Sequence, residues 1–140
     1  MFNGIYYYTI DDKNRLFIPS KLRKNIKQFI ITPGMDNCIY AYPMAAWNKI
    51  NDKFDRLNLK DKSHQRAFKR AFLSNAIDAE VDTQGRIVIP VPLKAQIKIK
   101  KDIVIIGVGD RLEIWAKDNW IKYYKQAQKV VTKVSSQLEL

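Results

Sequence analysis

The chain has 140 residues, 46% of them hydrophobic, which is enough apolar material for a folded core and excludes disorder as the default. Its 25 Lys and Arg residues outnumber its 14 Asp and Glu residues, so the net charge is +11. This balance favours a polyanionic partner, nucleic acid before an acidic membrane surface, although a solvated basic surface alone would also produce it.

The first predicted unit, residues 5–47, consists mainly of short strands. The apolar patterns predict strands near residues 5–10, 16–18, 29–32 and 38–42. A turn that begins at Asp11 separates the first two strands. Pro19 ends the second strand, because proline cannot donate to a ladder, and suits the start of a short helix carrying Leu22 and Ile26.

Residues 48–75 are predicted to form a helical connection. The first helix places Trp47, Ile50, Phe54 and Leu57 on one face, since they recur at helical spacing. A second helix, near residues 60–75, has a short apolar face and a basic remainder. Packing in the core or in an interface explains both apolar faces better than a ligand site does.

The second predicted unit, residues 76–119, repeats the first. The segment 10–19 recurs as 81–90, so that Asp11 corresponds to Asp82 and Arg15 to Arg86, at an offset of 71 residues. The offset persists through Lys27 and then becomes 73, after two added residues. Strands are therefore expected near residues 77–81, 87–89, 103–107 and 112–115.

The last predicted element is a C-terminal helix and tail, residues 120–140, with one apolar face formed by Trp120, Tyr123, Ala127, Val130 and Val134. Each repeat has too little surface for a core of its own. The two repeats are therefore expected to pack as a pseudo-twofold pair and to interleave their strands, which would also cover exposed strand edges. The predicted fold class is α+β, mostly β with short helices.

The turn Asp-x-x-x-Arg occurs in both repeats, at Asp11 to Arg15 and at Asp82 to Arg86. The aspartate can accept hydrogen bonds from amides two residues on, or hold the arginine by a charge-assisted bond. Just before the arginine stand Asn14 and Gly85, the two residue types that most readily adopt a left-handed backbone. One interpretation is that the aspartate and the arginine only hold a hairpin together through a surface ion pair. The duplication of the turn in a basic chain instead favours contact with nucleic acid through the arginine fork.

Basic residues cluster around the first turn at Lys13, Arg15, Lys21, Arg23, Lys24 and Lys27. Counted by halves, residues 1–70 carry a charge of +8 and residues 71–140 carry +3. The first loop is therefore expected to make the stronger contact, and Arg15→Ala to harm binding more than Arg86→Ala.

These motifs resemble a known family. Ile10-Asp11-x-Lys13-x-Arg15-Leu16-x-Ile18-Pro19 with Lys21-x-Arg23, and Val81-Asp82-x-x-Gly85-Arg86-x-x-Ile89-Pro90, are similar to the paired half-motifs of the bacterial MraZ transcriptional regulators. Met1-Phe2-x-Gly4 and Leu112-Glu113-x-Trp115 extend the resemblance over nearly the whole chain. The family belongs to the swapped-hairpin group that includes AbrB-like regulators and MazE-like antitoxins.

The resemblance implies an AbrB-like, pseudo-twofold barrel of two swapped hairpins with peripheral helices. It also implies ring-like homo-oligomers that bind double-stranded DNA at repeated promoter sites and control the division and cell-wall gene cluster, including the protein's own gene. We predict a cytoplasmic, nucleoid-associated protein. The predicted DNA-binding residues are Asp11, Lys13, Asn14, Arg15, Lys21, Arg23, Asp82, Gly85 and Arg86. The first loop departs from the family in two ways: Asn14 stands where Gly is usual, and Asp12-Lys13 is more charged than Thr83-Gln84 in the second loop. The two loops are therefore not expected to participate equally.

Two other classes were weighed against DNA binding. An enzyme is disfavoured because one cysteine, Cys38, and one histidine, His64, provide neither a zinc site nor a paired nucleophile and base. We therefore predict no catalytic residue, metal, cofactor or small-molecule substrate. An antitoxin-like interaction module is the alternative function, although the tail lacks the acidic character of a toxin-binding arm. No apolar stretch approaches the ~20 residues of a membrane span, and a membrane partner is not expected.

Overall fold

The computed structural model describes residues 1–139; residue 140, the end of the predicted tail, lies outside them. The eight strands are β1 Ile5–Thr9, β2 Arg15–Phe17, β3 Gln28–Pro33, β4 Ile39–Pro43, β5 Ile77–Glu80, β6 Arg86–Val88, β7 Asp102–Gly107 and β8 Leu112–Ala116. The four α-helices are α1 Met44–Arg56, α2 Lys62–Ser74, α3 Val91–Gln96 and α4 Lys117–Leu138. The α+β class and the order of elements match the prediction. None of the helices in this part of the chain is both long and apolar enough to cross a membrane.

The two repeats exchange strands within one antiparallel sheet of order β1-β7-β8-β4-β3-β5. The first repeat's β1 pairs with the second repeat's β7, and the second repeat's β5 pairs with the first repeat's β3. The remaining strands, β2 and β6, form a separate two-stranded ribbon that also joins the repeats, with Leu16 opposite Ile87. The expected interleaving is confirmed by these pairings.

The sheet does not close. Within residues 1–139, the edge strands β1 and β5 each have a hydrogen-bonded neighbour on one side only. The prediction of a barrel is therefore wrong, because the sheet is open at both edges. The ribbon β2–β6 covers one face of an open sheet instead of continuing its hydrogen-bonded ladder.

The main core lies between the ribbon and the sheet. The ribbon and the residues that follow it contribute Leu16, Ile18, Ile87 and Ile89, all fully buried. The sheet contributes buried apolar side chains from five strands, among them Phe29, Ile31, Ile39, Ala79, Ile103, Ile105, Leu112 and Ile114. Burying such a side chain stabilises the fold by about 1.5–3 kcal/mol, so the ribbon is held firmly in place.

Helices α1 and α4 cover the opposite face of the sheet, again as a pseudo-symmetric pair, whereas α3 packs in the main core through Leu93. Trp47 of α1 packs on Ile30 and Tyr42, while Trp120 of α4 packs in a cluster with Val104 and Trp115. The molecule thus has three layers: the ribbon with α3, the sheet, and a helical layer that contains α1 and α4. The ribbon and this helical layer lie on opposite faces of the sheet.

The predicted short helix of the first repeat is only a 3₁₀ turn at Ser20–Leu22, and Ile26 lies beyond it. Its counterpart α3 is an α-helix of 6 residues, as predicted. The left-handed residue that follows is Asn25 in the first repeat and Lys98 in the second, an offset of 73. The two added residues therefore lie within α3, earlier in the chain than the sequence comparison placed them.

Glu113 is the charged residue buried most deeply in the described chain, with 7% of its surface exposed. Its carboxylate accepts hydrogen bonds from Arg111 Nη2 at 2.8 Å and from Trp115 Nε1 at 3.1 Å. The Arg111 guanidinium also lies 4.0 Å from the centre of the Tyr40 ring. These contacts give the Leu-Glu-x-Trp segment a structural role on the helix side of the sheet.

Glu113→Ala is expected to lower the free energy of unfolding by roughly 1–3 kcal/mol, because it leaves the indole N–H without an acceptor and Arg111 without its carboxylate. Urea denaturation of the wild type and the variant measures the change. Glu113→Gln keeps an acceptor oxygen and is the matched control, for which we expect a smaller loss. An unchanged midpoint for Glu113→Ala would contradict a structural role.

Candidate nucleic-acid interface

The two Asp-x-x-x-Arg segments form loops of nearly identical geometry. In the first, Asp11 Oδ1 accepts hydrogen bonds from the backbone amides of Lys13 at 2.9 Å and Arg15 at 2.8 Å. Asp11 Oδ2 accepts from Arg15 Nε at 2.7 Å. The aspartate therefore performs both predicted roles at once, closing the turn and orienting the arginine.

The second loop repeats each of these bonds. Asp82 Oδ1 accepts from the amides of Gln84 and Arg86, both at 2.9 Å, and Asp82 Oδ2 accepts from Arg86 Nε at 2.8 Å. In both loops the aspartate engages Nε, which leaves the two terminal guanidinium nitrogens for a ligand. Those nitrogens form the fork that suits a guanine edge or a phosphate.

The residue before each arginine is left-handed, as predicted: φ is 59° at Asn14 and 80° at Gly85. In this conformation the carbonyl group of the left-handed residue bonds to the chain just beyond the other strand of the ribbon. The carbonyl of Asn14 accepts from the amide of Ile89 at 2.8 Å, and that of Gly85 accepts from Ile18 at 2.9 Å. Each loop is thus fastened to the chain of the other repeat.

The ribbon presents the two arginines on its outer face. Side chains alternate along a strand, and Leu16 and Ile87 point into the core. Arg15 and Arg86 therefore point outward, and the register sets them on opposite strands, two residues apart, roughly 7 Å along the strand direction. Two outward positions are apolar: Phe17, half-buried beside Tyr8, and Val88, which is 55% exposed.

Both loop aspartates have a pKa below the ordinary value of 3.8. The main cause is the hydrogen bond from the backbone amide of the loop arginine, and the arginine side chain adds to it. A carboxyl whose pKa is lowered by folding contributes its stabilisation above its ordinary pKa and loses it as the pH falls through the lowered value. The loops therefore stay fully charged and hydrogen-bonded at neutral and mildly acidic pH.

We expect the NMR signals of the Arg15 and Arg86 amides to stay constant from pH 8 down to about pH 5, and to titrate at lower pH with midpoints below 3.8. The Asp11→Asn variant is the control, because it lacks the charge at every pH and should shift the Arg15 signal already at pH 7. A titration of either signal with a midpoint above 3.8 would contradict the hydrogen-bonding scheme.

Of the predicted site residues, Lys21 lies outside the loops and Arg23 was grouped with the wrong one. Lys13 is exposed at the tip of the first loop, and Lys21 is exposed on the 3₁₀ turn without bonding to either loop within residues 1–139. Arg23 does not belong to the first loop. Its guanidinium lies against Gly85, where a Cβ would meet Arg23 Cζ at 2.6 Å, so it belongs to the second. Grouping Arg23 with Arg15 was wrong because strand exchange carries it to the other repeat.

Lys94 is a residue of the interface that sequence reasoning missed. Its ammonium donates to Asn14 Oδ1 at 3.0 Å, so it lies on the first loop. The signal was present in the sequence, since Lys94 corresponds to Arg23 at the offset of 71. The exposed Val88, which lies opposite Arg15 in the ribbon, was also missed.

The two residues considered for other chemistry lie away from the loops. Cys38 is buried beneath α4, and burial raises the pKa of its thiol, which disfavours the reactive thiolate. His64 is exposed on α2, close to Asp61. Cys38 is thus a core residue.

Comparison with known proteins assigns the family. The model of the family described as "MraZ protein, putative antitoxin-like" matches residues 1–71 and again 72–138, which supports the internal repeat. A "Transcriptional regulator MraZ" from Caldanaerobacter subterraneus is 41% identical over 140 residues, covering 99% of this chain and 97% of its own. Proteins of the same name from Natranaerobius thermophilus and Clostridium beijerinckii are 41% and 47% identical over 139 and 124 residues, covering 99% and 88% of this chain and 96% and 87% of theirs. The chain belongs to the MraZ family.

Proposed function

We propose that this chain is a sequence-specific DNA-binding transcriptional regulator whose β2–β6 ribbon enters the major groove of double-stranded DNA. The observation that carries the proposal is the outer face of the ribbon, where Arg15 and Arg86 are each held by an aspartate. A two-stranded ribbon fits the major groove, which is about 12 Å wide, and an arginine fork reads the O6 and N7 atoms of guanine there. The relatives named as transcriptional regulators support the same function.

Each part of the interface has its own role in this proposal. Arg15 and Arg86 read base edges, because Asp11 and Asp82 fix their direction. The more exposed Lys13 and Lys21 contact phosphates, which adds affinity without sequence preference. The ribbon is anchored by a rigid core, so the two arginines approach the DNA as one preformed unit.

We further propose self-association through the helical layer, as a ring-like homo-oligomer on repeated promoter sites. The apolar face of α1 packs within the chain, since Trp47 stacks on Phe72 of α2 and Phe54 meets the same ring edge-on. The apolar face of α4 packs against the rest of the chain only at its start, where Trp120 contacts Trp115. Its distal half carries the exposed residues Val130, Val131, Val134 and Leu138, with exposed fractions of 57%, 61%, 36% and 61%.

The finer assignments rest on the sequence pattern and on the family resemblance. They are a division of the chain into two AbrB-like swapped-hairpin repeats at 5–47 and 76–119, with helical segments at 48–75 and 120–140. They also include control of the division and cell-wall gene cluster, a cytoplasmic and nucleoid-associated location, and the lack of catalysis. An antitoxin-like role is the second candidate, favoured by the term "antitoxin-like" in the description of the family. Co-purification of a stoichiometric toxin-sized protein would favour it.

Selection of bound fragments from a random duplex pool tests the proposed function directly. We expect recovery of a short guanine-containing sequence, repeated at a fixed spacing. The Arg15→Ala/Arg86→Ala variant is the control and should enrich no sequence. An unenriched pool with the wild-type protein would contradict sequence-specific binding.

Binding is also expected to weaken steeply with salt, because each neutralised phosphate contributes a slope of about −0.9 in log K against log salt concentration. Lys13→Gln, which gives the first loop the residue that the second has at Gln84, should reduce the slope by about 1. Fluorescence anisotropy titrations at four or more salt concentrations measure both slopes. A response independent of salt would rule out phosphate contacts as a source of affinity.

A further inference from the structure

Each of the two loops contacts one cation that belongs to the other repeat, so the contacts cross between the repeats. Arg23, from the first repeat, lies on Gly85 of the second loop. Lys94, from the second repeat, donates a hydrogen bond to Asn14 Oδ1 of the first loop. The two cations are equivalent by the internal repeat, and so are Asn14 and Gly85. The same crossing thus occurs twice, about the pseudo-twofold axis of the ribbon.

We infer that each DNA-binding loop is a composite of both repeats: Arg23 completes the loop Asp82–Arg86, and Lys94 completes the loop Asp11–Arg15, each as a phosphate-binding cation beside the base-reading arginine. This inference rests on the proposed DNA-binding function. It assigns Lys94 to the interface and moves Arg23 from one end of the ribbon to the other.

Local geometry fixes both cations. Arg23 Nε donates to the carbonyl of Ile18 at 2.7 Å, and its guanidinium lies 5.4 Å from the centre of the Phe17 ring, which is opposite Arg86 in the ribbon. Both Arg23 and Lys94 are half-buried, unlike the exposed Lys21 and Lys24. A cation whose stem is already held loses less conformational freedom when it binds a phosphate.

The identity of the left-handed residue follows from the cation that covers it. A side chain at Gly85 would have to displace the Arg23 guanidinium, because its Cβ would lie 2.6 Å from Arg23 Cζ, Nε and Nη2. Asn14 has a side chain, and the slimmer Lys94 bonds to it instead of displacing it. The pairs are therefore Gly with Arg and Asn with Lys, and this coupling explains why the first loop departs from glycine.

An exchange of the two pairs tests the coupling. Gly85→Asn keeps a residue that tolerates the left-handed backbone but adds a side chain where Arg23 lies. The added side chain displaces the Arg23 guanidinium from the loop, and the loss of its charge-assisted contact should weaken binding to the selected duplex about 10- to 100-fold. Adding Arg23→Lys recreates the pair found in the first loop and should restore affinity to within about threefold of Arg23→Lys alone. Equal affinities for Gly85→Asn with and without Arg23→Lys would overturn the composite loop.

Phosphate interference on the same duplex locates the cations. We expect Arg23→Ala to lose the backbone contacts next to those lost by Arg86→Ala, and Lys94→Ala to lose contacts next to those lost by Arg15→Ala. The opposite pairing, or a pattern unchanged in either cation variant, would overturn the assignment. Lys129→Ala, which removes one charge from the helix layer, is the control and should leave the pattern unchanged.

A readout without DNA separates this inference from the function on which it rests. In amide NMR spectra, Arg23→Ala should shift Gly85 and Arg86 more than Asn14 and Arg15, and Lys94→Ala should do the reverse. Shifts confined to the loop of the same repeat would overturn the crossing whatever the protein binds. Crossed shifts in a protein that selects no duplex would contradict the proposed function instead.

Discussion

DNA that carries several correctly spaced copies of the recognition sequence is expected to bind about 10²–10⁴ times more tightly than DNA that carries one copy. The reason is the small size of the reading element. The ribbon has three residues in each strand and presents two arginines, so one chain offers an interface near the low end of single DNA-binding modules, roughly 600–1,000 Å². Further affinity must come from tethered copies that reach neighbouring sites.

The helical layer makes this tethering feasible, because it faces away from the ribbon and leaves the distal half of α4 exposed. Binding isotherms for duplexes with one to four repeats measure the gain. Moving one repeat by about 5 base pairs, half a helical turn, rotates its major groove away and should abolish that repeat's contribution. Val130→Asp/Val134→Asp should remove the gain while keeping single-repeat affinity, whereas Lys129→Ala should keep both. Tight binding to one repeat, with no gain from more, would contradict the tethering argument.

The sequence was most informative where local chemistry decides the structure. The turn at Asp11 to Arg15 was predictable in detail, because an aspartate, a left-handed residue and an arginine at fixed spacing have few ways to satisfy their hydrogen bonds. Pro19 and Pro90 marked the ends of β2 and β6 for a similar reason, since neither can donate to the ladder.

Prediction was less successful where the outcome depends on distant segments. Arg23 is eight residues from Arg15 in the chain, so the sequence grouped the two in one basic cluster. Because β2 pairs with β6, a residue beyond the end of β2 lies beside the loop that precedes β6, and Arg23 therefore contacts Gly85. The barrel was predicted wrongly for a related reason. An internal repeat predicts equivalent strands, but it does not predict whether the edge strands β1 and β5 pair with each other.

The crossing also changes the expected balance between the loops. The sequence placed more charge on the first loop and predicted that Arg15→Ala would be the more harmful variant. With Arg23 beside Arg86 and Lys94 beside Arg15, each arginine has one supporting cation. Within the loops themselves the charges also balance, because Asp12 offsets Lys13 while the second loop has the neutral Thr83 and Gln84. The two single variants should therefore differ less than the charge of the two halves implies. The ranking of Arg15 above Arg86 stays a prediction.

Removing both arginines is expected to abolish specific binding. Loss of one base-reading arginine costs roughly 1–3 kcal/mol, and two such losses correspond to a fall in affinity of about 30- to 10⁴-fold if they add. The fold should persist, because both side chains project from the ribbon while Leu16 and Ile87 hold it to the core. Thermal unfolding of the wild type and Arg15→Ala/Arg86→Ala checks that condition.

The decisive measurement is the ratio of specific to non-specific affinity. Lys129→Ala/Lys133→Ala removes the same charge from the opposite layer and serves as the matched control; it should weaken binding to all duplexes slightly and equally. If Arg15 and Arg86 read bases, their double variant should bind the selected duplex and a scrambled duplex alike, because phosphate contacts remain while base contacts are lost. If it weakened both duplexes by the same factor and preserved the ratio, the two arginines would be phosphate ligands, and base recognition would have to come from other outward residues of the ribbon, of which Val88 is the most exposed.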